Sequence, residues 1–248
     1  MGLIKEFNLQ LYSLRELTKN NFPEVLKRIA QIGYTGVEFA GYGNLTASQM
    51  RELLEQNGLK SVSTHVSLER LLNNLDEELS YNQQIGTQAI IVPHYPLATV
   101  KDVEMLAEQL TSIAKAVRSA GFTFGYHNHA HEFAESENGV TLLDLLMQLT
   151  SPQDVVLELD VYWAAFAGVD VLEYMEKQKD RIRLLHIKQI ADFESKKCVD
   201  LDEGMLDFDR IIRKGLEIGV QHCILEQEEF AVSPYQSIEK GYKHIMNL

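Results

Sequence analysis

Short apolar runs alternate with longer stretches of helical period from one end of the chain to the other. The runs are rich in Val, Ile, Phe and Tyr and predict strands at 7–12, 37–40, 61–66, 89–93, 122–127, 155–159, 184–188 and 223–227. Between them lie amphipathic segments. In 22–32 the residues Val25, Leu26, Ile29 and Ile32 form one apolar stripe, and 48–56, 69–85, 103–120, 142–149, 171–179 and 208–218 read likewise. Most of these helices close on the same punctuation: Ile32-Gly33-Tyr34, Asn57-Gly58-Leu59, Ile85-Gly86-Thr87, Ala120-Gly121-Phe122 and Ile218-Gly219-Val220. Glycine just past a helix end adopts the left-handed conformation without a Cβ clash, and the next apolar residue opens a strand. The repeated unit is therefore strand then helix, and the whole chain, 1–248, reads as a single α/β domain.

Eight such units fit either an open doubly wound sheet or a closed (β/α)8 TIM barrel. Two features favour the barrel. No GxGxxG turn follows the first strand. Polar residues also sit at the C-terminal ends of nearly every strand, as an active site ringed by all eight strands requires.

A length of 248 residues suits one such barrel, and 45% hydrophobic with 24% charged residues describes a packed core rather than disorder. The formal charge of -13 disfavours a nucleic-acid partner, because phosphate contacts need clustered Lys and Arg. Cys198 and Cys223 stand far apart, so neither a disulfide framework nor a zinc ribbon is suggested. The opening MGLIKEFNLQ lacks the basic and apolar regions of a secretion signal, and the longest apolar runs are too short to span a bilayer. A cytoplasmic protein with no membrane partner is the expectation, with a homo-oligomer left open.

The candidate chemistry lies at the ends of the last four strands. The fifth runs FTFGYHNHAHEF, an apolar stretch that stops in His127, His129, His131 and Glu132. The sixth ends in Asp160, the seventh in His186 and Lys188, and the eighth in Glu226 and Glu228. In a barrel these four strand ends are neighbours. Buried carboxylates are costly unless paired or coordinated, so a shared cation accounts for the pattern better than four separate structural residues. Asp160, His186 and Glu226, with a fourth ligand from strand five, make a mixed N/O shell of one His and three carboxylates. Such a shell suits one Mn²⁺, Mg²⁺, Co²⁺ or Zn²⁺ ion. The strand-five ligand is open between His127, His129 and Glu132. Tyr12, Glu38, His65 and His94 are candidate contacts to substrate hydroxyls, and Trp163 a wall against a sugar face. Lys188 shares the His186 side of its strand, where an ammonium could hold a substrate oxygen or pair with Glu158 or Glu228.

The stretches LQLYSLR, IGYTGVEFAGYGNLT, STHVSLE, GYHNHAHEF, ELDVYW, LLHIKQ, EGMLDF and ILEQE span nearly the whole chain. Together they resemble the sugar phosphate isomerase/epimerase family, the xylose isomerase-like barrels of the AP endonuclease family 2 superfamily. That group also holds endonuclease IV, hydroxypyruvate isomerase, ketose 3-epimerases and inosose dehydratase. The branch with YHNHxxEF on strand five, DxxW on strand six and HxK on strand seven is the most similar. The resemblance implies one divalent metal held by strands five to eight. Two departures stand out: His127 occupies the place of a glutamate found in ketose 3-epimerases, and Asp202 replaces the first glycine of a GEG-like loop.

The expected activity is therefore that of a divalent-metal-dependent isomerase or epimerase of a small-molecule sugar or keto-sugar. A metal-stabilised enediolate would form when a C–H proton leaves, with Glu132 and Glu226 flanking the sugar and His129 and Lys188 assisting. A metal-dependent dehydratase or lyase on an inosose-like keto-cyclitol or 3-keto-glycoside shares the first half-reaction. An endonuclease IV-like phosphodiesterase would need more metal ligands and a basic groove, and a non-catalytic sugar-binding barrel would need no turnover.

Overall fold

The computed structural model describes residues 2–136 and 139–248. Its strands, in chain order, are β1 (Asn8–Gln10), β2 (Gly36–Phe39), β3 (Lys60–His65), β4 (Ala89–Val92), β5 (Thr123–His127), β6 (Val156–Asp160), β7 (Ile182–Ile187), β8 (Gln189–Ile190), β9 (Cys198–Val199) and β10 (His222–Leu225). All but β8 and β9 pair in parallel and close a barrel in the order β1-β10-β7-β6-β5-β4-β3-β2. β8 and β9 form a small antiparallel ribbon beyond the β7 rim.

The helices wrap the outside: α1 (Arg15–Ile32), α2 (Ala47–Asn57), α3 (Leu68–Ile85), α4 (Val100–Ser119), α5 (Leu142–Leu149), α6 (Val161–Phe166), α7 (Val171–Lys177), α8 (Phe208–Ile218) and α9 (Pro234–Met246). The expected helix 22–32 is the second half of α1, which kinks at Asn21; the Asn21 side chain accepts from Glu24 N–H at 3.1 Å and restarts the helix. α6 and α9 were not among the expected helices. All five glycines that punctuate the sequence have positive φ, as that pattern required.

Side-chain parity explains how the barrel carries a site. Inside it, Ile91, Val156, Leu184 and Ile224 pack into an apolar plug. Two residues further along each of those strands the same face presents Pro93, Glu158, His186 and Glu226, and two more bring Asp160, Lys188 and Glu228. The interior therefore changes from hydrocarbon to carboxylate and imidazole toward the C-terminal rim.

Gly125 lies in the plug layer, two residues before His127. A Cβ there would sit 2.8 Å from Ile91 Cδ1, 2.9 Å from Val156 Cγ2 and 3.0 Å from the Val156 carbonyl oxygen. Gly125→Ala should destabilise the fold by about 1–3 kcal/mol through overpacking. Denaturant unfolding checks it, and an unchanged midpoint would show that the layer yields freely.

Candidate metal centre and cavity

Asp160 closes β6 and has two jobs. Its Oδ1 accepts from Trp163 N–H at 3.0 Å and so caps α6, while its own N–H donates to Asn128 Oδ1 at 3.0 Å. Its Oδ2 is buried with no hydrogen-bond partner. His186 is divided the same way. Its Nε2 lies 2.6 Å from Glu38 Oε1, and its buried Nδ1 lacks a hydrogen-bond partner. That Nδ1 stands 3.4 Å from Glu226 Oε2 and 4.0 Å from Asp160 Oδ2. His127 is oriented by Glu158, with Nδ1 3.0 Å from Oε2. One nitrogen or oxygen from each of His127, Asp160, His186 and Glu226 lies within 4.8 Å of the others. Buried polar atoms without partners are destabilising. A divalent cation among these four would satisfy both orphans, so the residues fit such an ion.

Beneath this set lies a second polar layer. Glu38 is fully buried and accepts from Gln10 Nε2 at 2.6 Å and Ser63 Oγ at 2.5 Å besides His186. Glu158, equally buried, accepts from His65 Nε2 at 2.7 Å as well as from His127. Each carboxylate sits where its strand slips register against a neighbour, between Val37 and Glu38 and between Leu157 and Glu158. Such irregularities re-aim a side chain. Glu38 therefore does not line the cavity as the sequence suggested; it is the anchor under His186.

The electrostatics follow from burial and pairing. Burial raises Glu38, but the His65 and His186 charges outweigh it and hold the carboxyl at about 2. Burial and the nearby Glu38 push Glu158 up to about 7. Burial likewise pushes Asp160 up to about 6 against the pull of Lys188. Burial opposes charge on His186, yet Glu158 and Glu38 raise it well above the usual histidine range. Burial and the neighbouring His186 and His65 keep His127 neutral.

Of the strand-five candidates, the structure brings His127 to Asp160, His186 and Glu226. Glu132 folds back into its own 3-10 turn, where it accepts from Tyr126 Oη and His129 N–H, each at 2.8 Å, and lies 3.2 Å from His131 Nδ1. Placed so, it does not flank the cavity opposite Glu226. His129 does line the cavity, with a buried Nδ1 that has no partner. Burial lowers it to about 4, so the ring is neutral.

The cavity above the four residues has a volume of about 530 Å³, and Tyr12, His65, His94 and Trp163 line it as expected. Lys188 stands behind the wall, buried, ion-paired with Glu228 and 3.5 Å from Glu226 Oε2. Its Nζ lies 4.9 Å from the Tyr162 ring and 4.8 Å from the Trp163 ring. Burial works against its charge, but Glu226 and Asp160 hold it protonated above the ordinary lysine range. Sequence reasoning gave Gln10, Ser63 and Asn128 no place in the site, and offered Glu158 only as a partner for Lys188, which instead pairs with Glu228. Glu158 was legible: it precedes Asp160 by two in ELD, so both face inward.

The xylose isomerase-like TIM barrel family matches residues 26–248. The chain belongs to that family. Among its curated relatives in the family, inosose dehydratase of Geobacillus kaustophilus (strain HTA426) is 24% identical over 269 aligned positions, covering 91% of this chain and 86% of that one. The crystal structure of a sugar phosphate isomerase/epimerase from Parabacteroides distasonis ATCC 8503 superposes with a TM-score of 0.86 at 25% identity, covering 99% of both chains. The IOLI protein, solved with a bound zinc atom, shares the fold with a TM-score of 0.74 at 13% identity over 98% of this chain and 97% of that one. The fold is thus that of sugar isomerases, epimerases and inosose dehydratases, all of them enzymes. No described helix is long and apolar enough to cross a membrane.

Proposed function

We propose that this barrel is a divalent-cation-dependent isomerase or epimerase of a small keto-sugar, with His127, Asp160, His186 and Glu226 as ligands. The observation that carries the reading is their convergence within 4.8 Å, with Asp160 Oδ2 and His186 Nδ1 buried and unpartnered, at the floor of the cavity. The set has two imidazoles and two carboxylates rather than the one and three the sequence suggested. That favours Mn²⁺, Co²⁺ or Zn²⁺ over Mg²⁺. A bound cation would polarise a carbonyl oxygen and stabilise the negative charge that develops there.

The chain's own residues supply the rest. His129, neutral and lining the cavity, takes a proton from the carbon beside the carbonyl. Trp163 and Tyr12 offer flat apolar faces that bury a sugar ring and exclude water. Lys188 keeps Glu226 ionised and holds Glu228 in place through its ion pair. Solvent deuterium incorporation into a panel of ketoses and keto-glycosides tests this step. Absence of exchange across the panel would count against it.

The imidazole-rich wall favours a second reading, dehydration. His94, His65 and His129 all line the cavity. Burial opposes charge on His65, but Glu38 and Glu158 raise it. His65, or His129 once it has taken the first proton, could therefore deliver the proton with which a β-hydroxyl leaves as water. Both readings begin with the same proton removal.

Cation affinity should rise with pH. In the ion-free protein His186 is protonated at neutral pH, because its value is raised above the usual range; binding must expel that proton. One proton released per ion gives about a tenfold gain per pH unit. Below about 6 the curve steepens, since Asp160 also takes up a proton there. Dissociation constants measured across pH check this, and a flat profile would remove His186 from the set.

A further inference from the structure

We propose that Lys188 confines proton transfer to one face of the bound ketone: by engaging Glu226 and Glu228 it silences one side of the cavity, so the site isomerises or dehydrates but does not invert a carbon centre. The inference rests on the keto-sugar reading given above and narrows its reaction class.

The cavity is lopsided. In the barrel order β5 stands across from β1, and β4 across from β10. His65 ends β3, His94 follows β4, and His127 and His129 end and follow β5. Among the described residues, every imidazole that lines the cavity therefore comes from three adjacent strands. The facing arc presents Tyr12 after β1, Ala40 after β2, and Glu226 and Glu228 after β10. Tyr12 and Ala40 carry neither carboxylate nor imidazole, so carbon acid–base work on this arc falls to the two glutamates.

Both glutamates are engaged. Glu226 Oε2 lies 3.4 Å from His186 Nδ1 and 3.5 Å from Lys188 Nζ, in the set that would hold the cation. Glu228 ion-pairs with the same ammonium. Lys188 is 1% exposed, and the rings of Tyr162 and Trp163 stand 4.9 and 4.8 Å from its Nζ. A cation sealed in this way keeps its counter-charges, because leaving it unpaired is costly. A carboxylate committed to that ammonium must first break the pair before it can accept a proton from carbon.

One active side suffices for two of the three outcomes. When His129 takes the proton, the C–H electron pair becomes a carbon–carbon double bond and the carbonyl pair moves onto oxygen. Isomerisation returns the proton to the neighbouring carbon from the same side, while the hydroxyl proton passes between the two oxygens. In dehydration the carbonyl re-forms, the double bond shifts, and the β-hydroxyl leaves with its bonding pair and an imidazolium proton as water. Inversion alone requires that the proton return from the β10–β1 side.

Dihydroxyacetone tests this, because each outer carbon bears two hydrogens, one toward either face. The cation-loaded protein is incubated with it in D2O, and carbon-bound deuterium is followed by mass spectrometry to its plateau against a protein-free control. Wild type should level at two deuteriums per molecule, one per carbon. Lys188→Met removes the ammonium but keeps a side chain against Tyr162 and Trp163, and it should go on to four. Lys188→Met combined with Glu228→Gln should level at two again. A merely structural role for Lys188 would alter the rate but not the plateau. Wild type reaching four would overturn the proposal whatever the variants do, and would leave the proposed activity standing. A Lys188→Met protein that stops at two, with its cation bound and its circular dichroism unchanged, would overturn it as well. No exchange by wild type would sink the proposed activity and this inference together.

Discussion

Asp160→Asn should leave the barrel folded and remove the cation. Wild type is expected to carry about one divalent ion per chain, the variant close to none at the same total metal. The substitution is chosen because Asp160 does two things at once. Its Oδ1 caps α6 through Trp163 N–H, a role that an asparagine side chain fills as well. Its Oδ2 is the orphan that faces His186 Nδ1 at 4.0 Å, and there the amide has neither charge nor a strong donor pair for a metal. Asp160→Ala loses the cap too and should cost about 1 kcal/mol of stability in addition. Turnover should fall by roughly a thousandfold or more in either variant, since charge stabilisation by a bound cation is worth several kcal/mol. His186→Ala should behave alike in metal content, because it removes the other orphan. Elemental analysis with thermal melts separates the two roles of Asp160. Full metal retention by both Asp160→Asn and His186→Ala would place the ion elsewhere and remove the basis of the proposed chemistry.

What the sequence could reveal follows from what each feature depends on. Strands and helices here are local events, set by apolar period and by glycines whose positive φ ends a helix, and so the eight-fold βα repeat was readable. The α9 start was also written locally, in Ser233-Pro234-Tyr235-Gln236, where Ser233 and Gln236 form a capping box. Strand-end residues converge in any closed barrel, and parity alone put Asp160, His186 and Glu226 on one rim. The choice at strand five was different. His127 and Glu132 are five residues apart, and which of them turns inward depends on a hydrogen bond from Tyr126 Oη that draws Glu132 into its own loop. Glu38 shows the same limit: its depth is set by a register slip between two strands, and no single strand encodes a slip. The place of Glu38 thus depends on pairing between strands, and that of Glu132 on a hydrogen bond across its own turn.

Glu38→Gln should weaken the cation by about ten- to a hundredfold at neutral pH while leaving turnover at saturating cation nearly intact. Glu38 Oε1 lies 2.6 Å from His186 Nε2, so the carboxylate makes the opposite ring nitrogen a stronger donor to a metal and fixes the ring plane. Gln10 and Ser63 hold Glu38 from behind, so a glutamine keeps the packing and loses the charge. Two consequences follow together. One of the two charges that raise His186 is gone while Glu158 remains, so less of the ring is protonated and the pH dependence of cation binding should move toward lower pH. The repulsion that pushed Glu158 toward about 7 is also gone, so Glu158 ionises more readily and partly replaces Glu38 as the negative charge beneath the ring. Hence affinity weakens without vanishing, and a shifted profile accompanies it. General damage to the barrel would lower the melting temperature and turnover but would not move the profile. An unchanged affinity, or turnover lost at saturating cation with affinity intact, would mean that Glu38 acts on something other than His186.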